Sequence, residues 1–191
     1  MEPNAVDEFW FAGPNGDQRG QSRKVWFVKD CAFDEEIRCR FLAVYEAAAE
    51  NKLAHWATTP RGALSLIVVL DQFPRNLYRD TPGAFSTDLK ALTLAKQAVD
   101  VGLDQAVLPV ERLFFYLPFE HSESIADQVR AVTLFEALTA SNANMDGFLD
   151  YARRHHAVVE KFGRFPHRNH ILNRESTAEE IEFLKQTGSS F

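Results

Sequence analysis

The side chains best suited to binding or chemistry lie in two short, similar stretches of this chain. Phe73-Pro74-Arg75-Asn76 is followed by Arg79, and Gly163-Arg164-Phe165-Pro166-His167-Arg168-Asn169 carries two more arginines and a histidine. Guanidinium groups donate paired hydrogen bonds to carboxylates or phosphates, and histidine can donate or accept. Each stretch follows an apolar helical pattern, so each is predicted to lie where a helix ends and the chain turns.

These side chains predict a pocket or groove that binds an acidic peptide or a small anionic molecule. The second stretch favours this use and a structural use about equally, because its cations could instead pair with Asp71 and Glu120. The predicted ligand-binding residues are Arg75, Asn76, Arg79, His121, Arg164, His167, Arg168 and Asn169.

Asp71 is predicted to need a cationic partner. It falls in the last turn of the most apolar helical run, where a carboxylate is nearly buried and faces the negative end of the helix dipole. An unpaired charge there would cost several kcal/mol. Arg75, Arg79 or an arginine of the second stretch could pair with it through two hydrogen bonds. Such a pair could be a structural clamp at a helix end, and a ligand role for Arg75 or Arg79 is the alternative.

His155 is the leading catalytic candidate, with Glu120 and Asp71 as possible partners. It lies on the apolar face of a predicted helix, where a histidine is more often a hydrogen-bonded core residue than a catalyst. A neutral histidine oriented by a carboxylate is, however, a usable general base. A small-molecule enzyme of the hydrolase type would therefore use His155 as its base. Its anionic substrate would be held by Arg75, Arg164 and Arg168.

No metal ion and no cofactor are predicted. His155 and His156 are adjacent and point about 100° apart on a helix, so they cannot chelate a metal together. The sequence contains no glycine-rich phosphate loop, no dinucleotide-binding fingerprint and no nucleophile elbow.

The composition disfavours several classes of partner. The 191 residues carry a net charge of −6, whereas nucleic acids and anionic membranes attract clustered Lys and Arg. The apolar run from Leu64 to Leu70 is far shorter than the roughly 20 residues of a membrane-spanning helix. Met1-Glu2-Pro3-Asn4 does not begin a secretory signal. The chain is therefore predicted to be cytoplasmic, with Cys31 and Cys39 as free thiols.

The chain is predicted to form a single all-α domain over residues 1–191. Apolar residues recur at helical spacing, and no convincing run of alternating strand residues is present. The core covers about residues 5–187, with a polar surface loop at 13–24 and a frayed tail at 188–191. The 16 phenylalanines predict large aromatic contacts between helices.

Capping residues and prolines predict where individual helices begin and end. Asp34 is predicted to cap a helix with an apolar stripe from Ile37 to Ala48, and Thr59-Pro60 to open the helix that carries the buried run. Pro118 is predicted to break a short aromatic helix. Three more helices are predicted: one that starts at Ser124, one over residues 144–162, and one that ends at Gly188. Their markers are a stripe of Ile125, Val129, Val132 and Phe135, an apolar face that includes His155, and a Thr177–Glu180 capping box.

Several of these segments resemble the signature blocks of the bacterial domain-of-unknown-function 924 family. The blocks are Asp71–Asn76, Tyr116–Glu123 and Phe162–Asn169, with Phe9-Trp10-Phe11 early and Arg174-Glu175-Ser176-Thr177 late. The similarity runs in order from about residue 5 to about residue 185. Family members often have glycine where this chain has Asn173, but asparagine also tolerates the left-handed conformation.

The resemblance implies a right-handed α–α superhelix of the tetratricopeptide-like type, which fits the roughly eight helices predicted here without sequence repeats. It implies no established activity, so no catalytic residue follows from it. Three functions stay open: a binding module, a small-molecule enzyme, and a purely structural polar lock at helix ends. Binding is favoured, because the layout is helical and no catalytic motif is present. An accessible site would support the first two functions, and a closed network the third.

Overall fold

The computed structural model describes residues 2–13, 19–142 and 145–190. Within these ranges the chain is helical and contains no β-strand, which confirms the predicted all-α class. Residues 14–18 of the predicted loop, Asn144 of a predicted helix and Phe191 of the predicted tail lie outside the described residues. Two compact units are distinguished: Met1–Arg79 with Gly83–Pro118, and Asp80–Pro82 with Phe119–Phe191. The single domain and the superhelix concern the whole chain and stay predictions.

The first unit contains helices α1 to α5 and most of α6. Their bounds are Pro3–Asp7 (α1), Cys31–Ala49 (α2), Pro60–Ile67 (α3), Phe73–Leu77 (α4), Asp88–Asp100 (α5) and Pro109–Glu120 (α6). α1 continues as the π-helical turn Glu8–Ala12, and α3 as the π-helical turn Val68–Gln72. α3 packs against α1 and α5, and α2 packs against α4.

Side-chain caps set the starts of α2 and α3. Asp30 caps α2, because its carboxylate accepts hydrogen bonds from the amides of Ala32 and Phe33 at 2.9 and 3.1 Å. The prediction of Asp34 as the cap is therefore wrong, and Asp34 lies one turn inside the helix. α3 begins at Pro60 as predicted, and the Thr59 side chain caps it by accepting a hydrogen bond from the third helical amide at 3.1 Å.

The predicted helix end at Phe73-Pro74 is wrong, because the helical backbone continues through it into α4. A proline inside a helix leaves the carbonyl four residues earlier without its usual amide donor. That carbonyl belongs to Leu70, and it accepts a 2.6 Å hydrogen bond from the hydroxyl of Thr87 instead. Pro118 likewise lies inside α6, so the prediction that it breaks this helix is wrong.

Aromatic rings dominate the core of the first unit, as predicted. The centroid of the Trp10 ring lies 5.7 Å from those of Phe33, Phe73 and Phe114. Burying one such side chain contributes about 1.5–3 kcal/mol, and a well-placed aromatic pair about 0.5–1.5 kcal/mol more. The apolar run of residues 64–70 is also buried, as predicted. No helix in the described part of the chain has the length and apolarity to cross a membrane.

The second unit is built on α7 (Ile125–Ala140), α8 (Asp146–Phe162) and α9 (Ala178–Leu184). α7 packs against α8, and α8 ends at Gly163, whose φ of 69° is the left-handed conformation predicted for this helix stop. The 3₁₀ turn Pro166–Arg168 follows. The Thr177–Glu180 capping box is confirmed, with its two hydrogen bonds at 3.2 and 2.7 Å.

The packed face of α7 differs from the predicted stripe. Ile125 and Val129 are 46% and 52% exposed, whereas Gln128 is fully buried. The Gln128 side-chain amide donates to the carbonyls of Glu120 and Ser122 at 2.7 and 2.6 Å. These bonds offset the cost of burying the NH2 group of Gln128. The hydrophobic pattern of the sequence does not reveal such hydrogen bonds.

The tail that was predicted to fray makes contacts up to Ser189. The Ser189 hydroxyl donates to the carbonyl of Leu184 at 3.1 Å, and Arg154 donates to the carbonyl of Gly188 at 3.0 Å. Elsewhere in the chain, both cysteines are exposed free thiols, as predicted.

Candidate functional site

The first predicted stretch lies in α4, where Arg75 takes part in ion pairs within the first unit. Its guanidinium donates to the two carboxylate oxygens of Asp88 at 2.9 and 3.1 Å, and its Nη1 lies 3.6 Å from Oδ1 of Asp71. Asp71 is only 1% exposed, so Arg75 meets its predicted need for a cationic partner. Burial disfavours the charged guanidinium, but the two aspartates outweigh it and raise the pKa of Arg75.

Asp34 binds the other two predicted ligand residues of this stretch. Arg79 donates to it through Nε and Nη2 at 2.6 and 2.7 Å, and the Asn76 side chain donates at 2.7 Å. Burial acts to raise the pKa of Asp34, but these hydrogen bonds outweigh it and hold the pKa below its usual value. The network thus joins α2, α4 and α5 through carboxylates of the protein itself.

In the second unit, the ring of Phe165 lies at the centre of three basic side chains. The His155 ring meets it edge-on with centroids 5.5 Å apart, and the His167 ring lies at 5.6 Å. The Arg168 guanidinium stacks over the same ring at 4.5 Å, a favourable cation–π distance. His121 is close enough that its positive charge acts to lower the pKa of both His155 and His167. We call His155, His167 and Arg168 around this ring, together with His121 near the two histidines, the Phe165 cluster.

Glu120 and His155 form a buried pair beside this cluster. Nδ1 of His155 lies 3.0 Å from Oε1 of Glu120 and 2.9 Å from the carbonyl oxygen of Tyr151, and both members of the pair are 4% exposed. Burial is the largest influence and lowers the pKa of His155 to about 3, although the hydrogen bond to Tyr151 opposes it. The positive charges of His121, Arg168 and His167 act in the same direction as burial. His155 is therefore neutral near pH 7.

The Phe165 cluster also shifts the pKa of His167. Burial and then the positive charge of Arg168 lower that pKa to about 4, while Glu123 acts in the opposite direction. Both effects penalise a further positive charge at this place. A negative ion among these groups would offset that penalty and raise the pKa again.

Glu123 and Arg174 hold the turn that carries Phe165. A carboxylate oxygen of Glu123 accepts a hydrogen bond from the Phe165 amide at 2.8 Å. Arg174 donates to both oxygens of Glu123 at 2.7 and 2.9 Å and to the Phe165 carbonyl at 3.1 Å. Sequence reasoning assigned no role to either residue. The available signal was that both fall in the blocks that resemble the family signature.

Two other predicted ligand residues are engaged inside the second unit. Arg164 donates to both carboxylate oxygens of Glu180 at 2.6 and 2.8 Å and to the Glu175 carbonyl at 2.8 Å. Asn169 is fully buried, and its side-chain amide donates to the Ser176 hydroxyl at 3.0 Å. These contacts connect the end of α8 to the segment that leads into α9.

A cavity of about 460 Å³ in the first unit has a lining that sequence reasoning did not single out. Phe9 and Phe33 stack at 5.1 Å on one side of it. Arg40 lies over the Phe9 ring at 4.7 Å and pairs with Glu36 at 2.6 Å. Among the described residues, no group of three His, Cys, Asp or Glu side chains is placed to hold a metal ion.

The fold and the cluster define an all-α protein in which basic side chains gather at a turn after a long helix. Residues 6–188 match the family described as bacterial protein of unknown function (DUF924), and the chain belongs to that family. It is also similar to the solved structure of a protein of unknown function from Agrobacterium tumefaciens, with 42% identity, 96% of each chain covered and a TM-score of 0.84. No curated protein matches the chain. Asn173 has a φ of 53° and so takes the left-handed conformation.

Proposed function

We propose that this protein binds a small anion at the Phe165 cluster, chiefly through His121, His167 and Arg168. The observation that carries the proposal is the gathering of two histidines and an arginine around one buried phenyl ring. Arg168 is only 7% exposed, whereas His121 and His167 are half-buried and so can meet a ligand from solvent.

The energetics of the cluster favour an anion over other ligands. Stacking on Phe165 orients the Arg168 guanidinium in advance, so less side-chain entropy is lost on binding. The pKa of His167 is lowered by burial and by Arg168, and an anion would offset the second of these effects. A small ion is favoured over an acidic peptide because Arg168 is buried in a turn and does not line an open surface.

We assign the remaining predicted ligand residues a structural role, which was the third function considered for them. In both units their donors bind carboxylates, carbonyls or hydroxyls of the chain itself. A ligand would have to displace these bonds before it could use the side chains. The residues concerned are Arg75, Asn76, Arg79, Arg164 and Asn169.

A hydrolase-type enzyme is the second candidate, and the contact between Glu120 and His155 favours it. A general base works best when its pKa lies near the working pH. The pKa of about 3 makes neutral His155 a weak proton acceptor, and binding is therefore ranked above catalysis. The two functions differ in one observable, because only an enzyme would lose a turnover activity in His155→Asn while it still bound the anion.

Thermal unfolding with a panel of anions tests the proposed site. The panel comprises inorganic phosphate, nucleotides, dicarboxylates and acidic peptides. A ligand at about 100 times its Kd stabilises the folded state by about 2.7 kcal/mol. For a chain of this size that raises Tm by on the order of 5–10 °C. Arg168→Gln is expected to abolish this rise, because it removes the charge and the paired donors.

Arg153→Gln is the matched control. Arg153 lies on α8 with its side chain 59% exposed and pairs only at the surface with Glu136, at 2.9 Å. This variant changes the net charge equally and is expected to keep the full ligand response. If no anion stabilises the wild type, or if both variants lose the response equally, the proposed site is wrong.

A further inference from the structure

The cavity of the first unit combines an aromatic interior with a charged rim. Phe9 of the π-helical turn and Phe33 of α2 line it, are 8% and 7% exposed, and stack at 5.1 Å. Its volume of about 460 Å³ lies within the usual range of small-molecule sites, about 300–1,000 Å³. The exposed polar side chains of the lining carry charges of both signs and belong to Glu8, Asp30, Glu36 and Arg40.

The walls of this cavity are held in place by the chain itself. Arg23 donates to the carbonyls of Phe9 and Trp10 at 2.7 and 2.6 Å, which ties the segment before α2 to the π-helical turn. The stacking of Phe9 on Phe33 ties the same turn to α2. Because these walls are already fixed, a ligand that enters between them orders few protein groups.

The charged groups of the rim keep hydrogen-bonding capacity for a ligand. Both capping bonds of α2 go to Oδ1 of Asp30, and within the described part of the chain Oδ2 accepts none. Oε1 of Glu36 accepts from Nη1 of Arg40 at 2.6 Å, which uses one of the five N–H donors of that guanidinium. Both members of this pair are about half exposed, and such surface pairs contribute little to stability. A ligand therefore engages them at lower cost than it would the buried pair of Arg75 with Asp71.

We propose that this cavity binds a free α-amino acid with an apolar or aromatic side chain. The ligand side chain packs against the buried rings of Phe9 and Phe33, where aromatic contacts add to the gain from burial. The Arg40 guanidinium donates to the ligand carboxylate. The ligand ammonium has three N–H donors and gives them to the carboxylates of Asp30 and Glu36. A ligand with only one of the two charges matches only one sign of charge at the rim.

Calorimetric titration with three related compounds tests this match of charges. At about pH 7 L-phenylalanine carries both an ammonium and a carboxylate, whereas phenethylamine lacks the carboxylate and 3-phenylpropionate lacks the ammonium. L-Phenylalanine is expected to bind about 10-fold more tightly than either, because each of the others loses a charged hydrogen bond. Binding of phenethylamine or 3-phenylpropionate with the Kd of L-phenylalanine would overturn the match of charges. Failure of L-phenylalanine to bind would overturn the site.

Arg40→Gln tests the group that is assigned to the ligand carboxylate. The preference for L-phenylalanine over phenethylamine is expected to fall to about one, because only L-phenylalanine has a carboxylate whose partner is lost. A preference that persists would overturn the role of Arg40. Arg168→Gln separates this site from the anion site proposed in the second unit and is expected to leave the Kd of L-phenylalanine unchanged. If binding is lost in Arg168→Gln and kept in Arg40→Gln, the amino acid binds at the Phe165 cluster and the proposed cavity site is wrong.

Glu36→Gln tests the acceptor side of the rim. It is expected to weaken the binding of L-phenylalanine about 10-fold, since it removes a charged acceptor of the ammonium. Glu35→Gln is the matched control, because Glu35 is the preceding residue of α2, is 66% exposed and does not line the cavity. The control changes the net charge equally and is expected to keep the wild-type Kd. Equal weakening in the two variants would show a general effect of charge and would overturn the assignment of Glu36.

Discussion

At the scale of single residues, the carboxyl of Glu180 is held ionised by Arg164, the Thr177 backbone and the Asn169 side chain, which all lower its pKa. Its carboxylate accepts a hydrogen bond from the Thr177 amide at 2.7 Å and two from Arg164 at 2.6 and 2.8 Å. The bond from Arg164 is the largest influence and lowers the pKa of Glu180 to about 2, although burial opposes it. A lowered folded-state pKa means that this stabilisation is complete above the unfolded-state pKa and disappears as the pH falls through the folded-state pKa.

Glu180→Gln is therefore expected to lower the free energy of unfolding at neutral pH by about 1–2 kcal/mol, through the loss of a cap and of a charged partner. The difference from the wild type should shrink as the pH falls from 4.5 toward about 2. Urea unfolding at a series of pH values measures both effects.

Glu179→Gln is the control for this substitution. The Glu179 side chain is 67% exposed and pairs with the half-exposed Lys161, so its loss should cost about 0–0.5 kcal/mol. Equal losses in the two variants, or a Glu180→Gln difference that persists near pH 2, would contradict the role given to Glu180.

At the scale of elements, the first turns of α3 and α8 each contain a glycine, and the two differ in their surroundings. A Cβ on Gly62 of α3 would lie 2.1 Å from the carbonyl oxygen of Trp56 and 2.8 Å from the hydroxyl oxygen of Thr59. The first of these atoms is backbone, so relief of the clash would require the 3₁₀ turn Ala54–Thr58 to move. A Cβ on Gly147 of α8 would meet no atom of the described residues within 4 Å.

Gly62→Ala is expected to destabilise the protein by about 2–3 kcal/mol, because it forces overlap with the backbone. Gly147→Ala is the matched substitution and should stabilise by about 0.5–1 kcal/mol, since alanine favours the helix and restricts the unfolded chain. Denaturant midpoints of the two variants measure the contrast. If Gly62→Ala leaves the denaturant midpoint unchanged, α3 and the preceding turn can move apart without loss of stability, and the predicted clash is wrong.

At the scale of the whole molecule, the tryptophans offer a test of the single-domain prediction. All three tryptophans, Trp10, Trp26 and Trp56, belong to the first compact unit. Their fluorescence therefore reports on that unit, whereas far-UV circular dichroism reports on the helices of both. If the chain folds as a single domain, the two signals are expected to change at the same denaturant concentration.

Glu180→Gln, whose site lies in the second unit, sharpens this test. In a single cooperative domain it should shift the tryptophan midpoint as much as the circular dichroism midpoint. A tryptophan midpoint that stays at the wild-type value would show that the units unfold separately, and the single-domain prediction would then be wrong.

The sequence by itself determined the features that act over a few residues. Apolar spacing identified the all-α class and the buried run from Leu64 to Leu70. Local capping chemistry identified the start of α3 at Thr59 and the capping box of Thr177 with Glu180. These predictions succeeded because helix periodicity and caps depend on neighbours within one or two turns. His167 and Arg168 of the Phe165 cluster were found as candidates for the same reason, since they lie in the turn that follows α8.

Only the tertiary structure decided which partners these side chains take. Asp34 binds Arg79 across 45 positions, and Glu123 binds Arg174 across 51. The helix continues through Pro74, and a hydroxyl near the start of α5 supplies the donor that proline lacks. Such choices depend on distances between segments far apart in the chain, and no local periodicity encodes those distances. For this reason the sequence could name the groups of the candidate site, but the packed fold decided which of them bind the protein itself and which surround Phe165.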